Sequence, residues 1–224
     1  MEIPKNSLFC FLRLICFIIF IHFLSLVIGF DLTCTVTSGK TWEVSLVNHC
    51  RVTNLNITAS NHKITSVNGK NATNQYEGFY VTSQNVHRIP TEIGSFFSNI
   101  LSFWVYDSKL KEITKNYLKA FTNLKELVLN SNDLEKLDGN LFEHNRKLQY
   151  VSLANNKFKH VGEELLLNLN LIGTFFGNCG CINASSTTSS TTSTIIQTLL
   201  NQCPSTKDMK IRMYFEEDFK KIED

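Results

Sequence analysis

Net charge is what this sequence most lacks. In 224 residues, 22 Lys and Arg stand against 20 Asp and Glu, a formal charge of +2. A nucleic-acid binder carries clustered Lys and Arg and a far more basic balance, so nucleic acid is excluded as a partner. Catalytic signatures are missing as well: the chain has no glycine-rich phosphate loop, metalloprotease helix motif or nucleophile elbow. His49, His62, His87, His144 and His160 are scattered along the chain rather than grouped. The expectation is a non-enzymatic protein with no catalytic residue and no cofactor. What is present is apolar: 43% hydrophobic residues and 17 phenylalanines argue against general disorder.

The apolar content is uneven. Lys5 and Arg13 precede an unbroken apolar run from Leu14 to Ile21, nearer in length to a secretory signal than to the ~20 residues of a spanning helix. Residues 1–29 therefore read as a signal peptide, and a membrane enters only if that leader is retained as an anchor. Cys10 and Cys16 leave with it. The mature chain keeps Cys34, Cys50, Cys179, Cys181 and Cys203, in two terminal groups. An oxidising compartment favours disulfides. Sequons at Asn56, Asn71 and Asn183 fit a glycosylated extracellular product.

Between the two cysteine groups the sequence repeats with a period of 24. Rows starting at Val52, Tyr76, Ile100, Leu124, Leu148 and Ile172 align Leu55, Phe79, Phe103, Leu127, Val151 and Phe175 in one column. Further columns hold Val86, Leu110, Leu134 and Phe158, then Ile89, Ile113, Leu137 and Val161. Leu124-x-x-Leu-x-Leu-x-x-Asn132-x-Leu and Leu148-x-x-Val-x-Leu-x-x-Asn156-x-Phe match the leucine-rich repeat consensus at each key position. Such a row is a short strand, a turn and a return segment that cannot bury its apolar side alone, so rows must stack. An amphipathic helix would show a 3.6-residue period and no register between rows. The fold expected is an α/β-type solenoid, a leucine-rich repeat horseshoe with short parallel strands on its concave face and disulfide-stapled caps.

The organisation follows: a leader at 1–29, an N-terminal cap at 30–75, repeats at 76–178, a C-terminal cap at 179–204 and a charged tail at 205–224. In the first cap, strands on either side of Ser38-Gly39-Lys40 read as a hairpin stapled by Cys34–Cys50. His62 and Thr65 interrupt the columns of the first row, so residues 60–74 read as an irregular connection. In the second cap Cys203 can pair with only one of two partners, Cys181–Cys203 being preferred over Cys179–Cys203. The odd thiol is then free or bridges to another chain. Three cysteines lack a fourth metal ligand, so no metal is expected. Ser185 to Thr194 are ten Ser/Thr residues in succession and read as a solvated insert. Ile196, Leu199, Leu200 and Cys203 then share one helical face, and the tail after residue 204 carries a second amphipathic pattern.

Side chains alternate along a strand, so the third, fifth and seventh positions of each row face outward. That places Tyr80, Trp104 and Tyr106 together, with Tyr150 and Phe176 further along the same face. Exposed aromatics gathered on a sheet are the usual material of interaction hot spots. They are the candidate ligand-binding residues. Asn56 falls in the same column, where a glycan would shade the N-terminal end of the face.

Ile64-Thr-Ser-Val-Asn-Gly, Tyr76-Glu-Gly-Phe-Tyr-Val, Phe121-Thr-Asn-Leu, Cys181-Ile-Asn and Gln202-Cys-Pro accompany the repeats. With them the chain resembles the extracellular leucine-rich repeat superfamily, and within it short secreted proteins of insects. The resemblance spans about residues 32–204 and implies a scaffold whose ligand varies from protein to protein. The function expected is recognition of an extracellular protein ligand through the aromatic face. The alternatives are a matrix or coat component that multimerises through its odd cysteine, and a membrane-tethered receptor-like ectodomain.

Overall fold

Alternating apolar residues in each row make strands, and the polar residue that closes each strand turns the chain. Ser83, Asp107, Ser131 and Asn155 recur at steps of 24 residues, and all four adopt positive φ, between 49° and 57°. This left-handed position suits short polar side chains that bond locally, and it lets the chain leave the sheet at the same point in every row. The computed structural model describes residues 28–40, 45–68, 76–162, 164–167, 169–176 and 184–186.

In the N-terminal part, strands β1 (Ile28–Leu32), β2 (Cys34–Lys40), β3 (Ser45–Val52), β4 (Asn56–Ile57) and β5 (His62–Val67) follow one another. The middle rows contribute β6 (Gly78–Thr82), β7 (Asn85–Val86), the one-turn helix α1 (Ile93–Phe96), β8 (Ser102–Tyr106) and a second single turn, α2 (Lys115–Leu118). The last rows hold β9 (Glu126–Val128), β10 (Lys136–Leu137), β11 (Tyr150–Ser152), β12 (His160–Val161), β13 (Gly173–Phe176) and β14 (Ala184–Ser186).

Eight strands form one sheet in the order β14-β13-β11-β9-β8-β6-β3-β2. From β3 to β13 every pairing is parallel, and the two end pairings, β2 with β3 and β13 with β14, are antiparallel. The return side carries two-stranded parallel pieces, β4 with β7 and β10 with β12. The apolar columns lie between: Phe79, Phe103, Leu127 and Val151 face Val86, Leu110, Leu134 and Phe158, all buried. This parallel, strand-rich stack is solenoid-like.

The row steps are not all 24. Glu77 N donates to Asn48 O, Leu101 N to Glu77 O, Lys125 N to Leu101 O, Gln149 N to Lys125 O and Ile172 N to Gln149 O. These steps are 29, 24, 24, 24 and 23 residues. Of residues 60–74, expected to be an irregular connection, residues 69–74 lie outside the described ones, and His62–Val67 form a strand. This strand, β5, pairs parallel with β1 and buries Ile64 and Val67. The two apolar residues that fell out of the 24-residue columns reach the core because five extra residues restore their register. Asn54 and Asn68 hold this unit to β2. Asn54 accepts from Thr33 N at 3.0 Å, and Asn68 accepts from Cys34 N at 2.9 Å.

The cap hairpin also differs in detail. Ser38-Gly39 is the site of a register shift rather than the turn, β2 continues to Lys40, and β3 resumes at Ser45. Cys34 and Cys50 are bonded across this pair, with Cα atoms 4.8 Å apart. Both are buried at the end of the core. Converting both to alanine is expected to lower stability by about 3 kcal/mol, chiefly by releasing the unfolded chain from a closed loop. Denaturant titrations of wild type with and without reductant, set beside the double variant, would check this. The reduced wild type should fall to the level of the variant. Residues 1–27, 179–183 and 187–224 lie outside the described residues, and with them Cys179, Cys181, Cys203, Asn183, the tail helix and the expected leader apart from Ile28 and Gly29, which begin β1; Asn71 does too.

Candidate functional site

The outward face of the eight-stranded sheet starts from the register of its strands. Tyr80 on β6 pairs with Trp104 on β8, and Thr82 with Tyr106, so Tyr106 stands on the same face two residues along β8 from Trp104. The Tyr80 and Trp104 rings lie 5.0 Å apart at 35°. Both are half-buried, while Tyr106 at the end of β8 is 42% exposed. Tyr150 stands on the same face but two strands on, beyond Val128, and is almost covered. Its ring leans toward β13. A Cβ on Gly173 would stand 3.0 Å from Tyr150 Cδ1, so glycine leaves that space for the ring.

Phe176 does not belong to this face. The 23-residue step pairs Tyr150 with Gly173, Val151 with Thr174 and Ser152 with Phe175. A slip of one residue exchanges the two faces of a strand. Phe176 therefore points into the core and is fully buried, and Phe175 takes the half-buried outward position. Thr174 occupies a core position, where its hydroxyl is buried with no hydrogen-bond partner. The shift at the other end displaces Asn56. Arg51, not Asn56, stands beside Tyr80. Asn56 lies in β4 opposite Asn85, on the return side, where it is exposed and accepts a 3.1 Å hydrogen bond from Asn85 Nδ2. A glycan on Asn56 would not shade the aromatic face.

Two kinds of residue that shape the face were not singled out by the sequence. The first is the cap strand itself: His49 packs edge-on against Tyr80 at 4.9 Å, extending the aromatic cluster onto β3. The signal is the alternation His49-x-Arg51 in the expected cap hairpin, whose strands continue the main sheet. The second is a buried polar line. Tyr80 Oη lies 3.5 Å from Ser102 Oγ, and Ser102 Oγ donates to Glu126 Oε2 at 2.7 Å. Ser102 and Glu126 are both fully buried.

An amide ladder beneath the strand ends keeps the face in place. Asn132 Oδ1 accepts from Ser108 N and Leu110 N at 3.1 and 2.9 Å, and its Nδ2 donates to Val105 O, Leu129 O and Asn130 O. Asn156 repeats this toward Leu134 N, Leu129 O and Leu153 O. Ser108 and Gln84 continue it, Ser108 Oγ accepting from Gln84 N and Gln84 Oε1 from Leu55 N. On the return side, Asn145 Nδ2 donates to Leu118 O and Phe121 O, tying adjacent rows. The exposed pairs Lys159–Glu135 and Lys157–Asp133 cross one row step there and add little stability. Burial, with a 2.7 Å hydrogen bond to Glu112, pushes the Tyr117 phenol up to about 12, so it stays neutral. Among the described residues no three His, Cys, Asp or Glu side chains converge as metal ligands.

Residues 104–174 match the family model of the leucine rich repeat. No curated protein matches the chain. The matched stretch runs from Trp104 in β8 to Thr174 in β13, so it supports the leucine-rich repeat superfamily and fits the parallel, solenoid-like stack. Leucine-rich repeat domains generally bind protein partners and are generally not enzymes.

Proposed function

We propose that the chain is a secreted, glycosylated recognition module that binds an extracellular protein through the concave aromatic face of a leucine-rich repeat horseshoe. The observation that carries this reading is the contact of Tyr80, Trp104 and His49 on one face, with exposed Tyr106 beside them. Large amphipathic rings bury much area at small entropic cost and keep a polar edge for the partner. Secretion is supported by the apolar run at Leu14 to Ile21 and by the Cys34–Cys50 bond, which an oxidising compartment maintains. Glycosylation is supported at Asn56 by its exposure and by its place on the return side, where a sugar leaves the aromatic face open.

The test is the double substitution Tyr80→Ala with Trp104→Ala. Hot-spot truncation costs about 2 kcal/mol or more per residue. Partners captured from extracellular fluid by the wild-type chain are therefore expected to bind the double variant at least about thirtyfold more weakly, the loss of a single hot spot, since hot-spot costs do not add in full. The unfolding midpoint, measured alongside, separates lost contact from lost fold. Unchanged partners at unchanged affinity would overturn the reading.

A further inference from the structure

Glu126 is an acid placed where the fold makes little provision for its charge. It stands in the outward column that runs His49, Gly78, Ser102, Glu126, Tyr150 and Gly173 across the paired strands. It is fully buried, Ser102 Oγ bonds its Oε2 at 2.7 Å, and its Oε1 is buried with no hydrogen-bond partner. None of the ion pairs among the described residues includes it. Arg51 and His49, the basic residues of this face among the described ones, lie on β3, three strands away in the sheet order.

A buried carboxylate with half its acceptor capacity unused is costly, since desolvation is not offset by a counterion or a full set of donors. Such exceptions call for an explanation. Here the surroundings name one. Tyr80 reaches over Ser102 on one side, with Trp104 against it; Tyr150, the register neighbour on the other, leans away toward β13. A buried carboxylate beside an aromatic pair is a receptor for an organic cation: the acid supplies charge-assisted hydrogen bonds, and aromatic faces attract the same charge.

We propose that Glu126 receives the guanidinium or ammonium group of an Arg or Lys side chain from the protein that binds the aromatic face. This rests on the reading of that face as the binding surface. Oε1 is the acceptor, and the half-buried Tyr80 side chain is the one that moves to admit the cation. The partner thus presents a basic residue flanked by apolar surface, and the site discriminates against a neutral residue in that position because the buried acid then stays unpaired.

The test uses random linear peptides displayed on phage, panned on the intact chain, with single clones then measured as synthetic peptides. Clones whose binding requires Tyr80 and Trp104 are expected to carry Arg or Lys and to weaken about thirtyfold on Glu126→Gln. They should be indifferent to Glu143→Gln, an exposed acid of the return side. Replacing the peptide's Arg by citrulline, or Lys by norleucine, should cause the same loss on wild type and little further loss on Glu126→Gln. That arm leaves the protein untouched and decides the matter even where the variant folds poorly. Clones that need the aromatics yet bind the neutralised peptide as tightly as the charged one overturn the cation site and leave the aromatic face standing. A library with no clone sensitive to Tyr80→Ala and Trp104→Ala overturns both.

Discussion

Asn132→Leu is expected to destabilise the chain by about 4 kcal/mol, although the two side chains are close in size and the leucine enters an apolar core. The amide of Asn132 is the partner of two backbone donors from the preceding row, Ser108 N and Leu110 N, and of three carbonyls, from Val105, Leu129 and Asn130. Leucine accepts nothing. Each buried polar group left without a partner costs about 1–3 kcal/mol, and the two stranded N–H groups alone account for the figure. Asn156 accepts from Leu134 N as its one backbone donor, so Asn156→Leu is expected to cost about half as much. Denaturant unfolding of the two variants side by side measures this. A loss at Asn132 below about 1 kcal/mol would show that the ladder is not what holds the rows in register, and equal losses would show that the number of stranded donors does not set the cost.

The reason the middle rows were legible is visible in the same residues. In the rows of Leu124 and Leu148 three separate signals agree: the alternation of the strand, the apolar return residues and the amide at position nine. A one-residue error would break all of them together. At the ends only one signal remains, and it is ambiguous. Phe175 and Phe176 are the same residue type, so hydrophobic pattern cannot say which of them faces the core; the 23-residue step decides, and it is set by how the chain returns from Val161 to Gly173. In the first row the columns held His62 and Thr65 while Ile64 and Val67 stood two places late. The fold absorbs the mismatch by lengthening the row by five residues, and with it Asn56 leaves the sheet face and Arg51 enters it.

The candidate site was legible to a similar degree. Tyr80, Trp104 and Tyr106 were found because they belong to rows whose step is 24. The outward third position of the 24-residue rows falls on Ser102, Glu126 and Tyr150, yet nothing in the period marks Glu126 as buried. Burial of an outward residue depends on how far its neighbours across the sheet lean over it. Tyr80 reaching Ser102 is a fact of rotamers, not of spacing.

Phe103 tests whether volume or ring stacking organises the rows under the aromatic face. It is fully buried, in register with Phe79 and Leu127, and lies between the rings of Phe79 at 5.1 Å and Phe121 at 5.2 Å. The chain of rings continues through Phe97 to Tyr76. Phe103→Ala is expected to cost about 4 kcal/mol, the lost burial and the cavity acting together because neighbouring rows cannot close on each other without breaking their ladder. Phe103→Leu separates the two causes, since leucine is what the next row uses in this column, at Leu127. If volume governs, Phe103→Leu costs about 1–2 kcal/mol, the ordinary penalty of a shape change in a packed core. If stacked rings govern, the leucine variant loses nearly as much as the alanine, because two aromatic contacts of about 0.5–1.5 kcal/mol each disappear in either case. Calorimetric and denaturant unfolding of both variants decide between these. The comparison reaches the site directly: Trp104 is the next residue on the same strand and faces the other way, so a row that loosens around position 103 also loses the fixed spacing between Trp104 and Tyr80 on which the face depends.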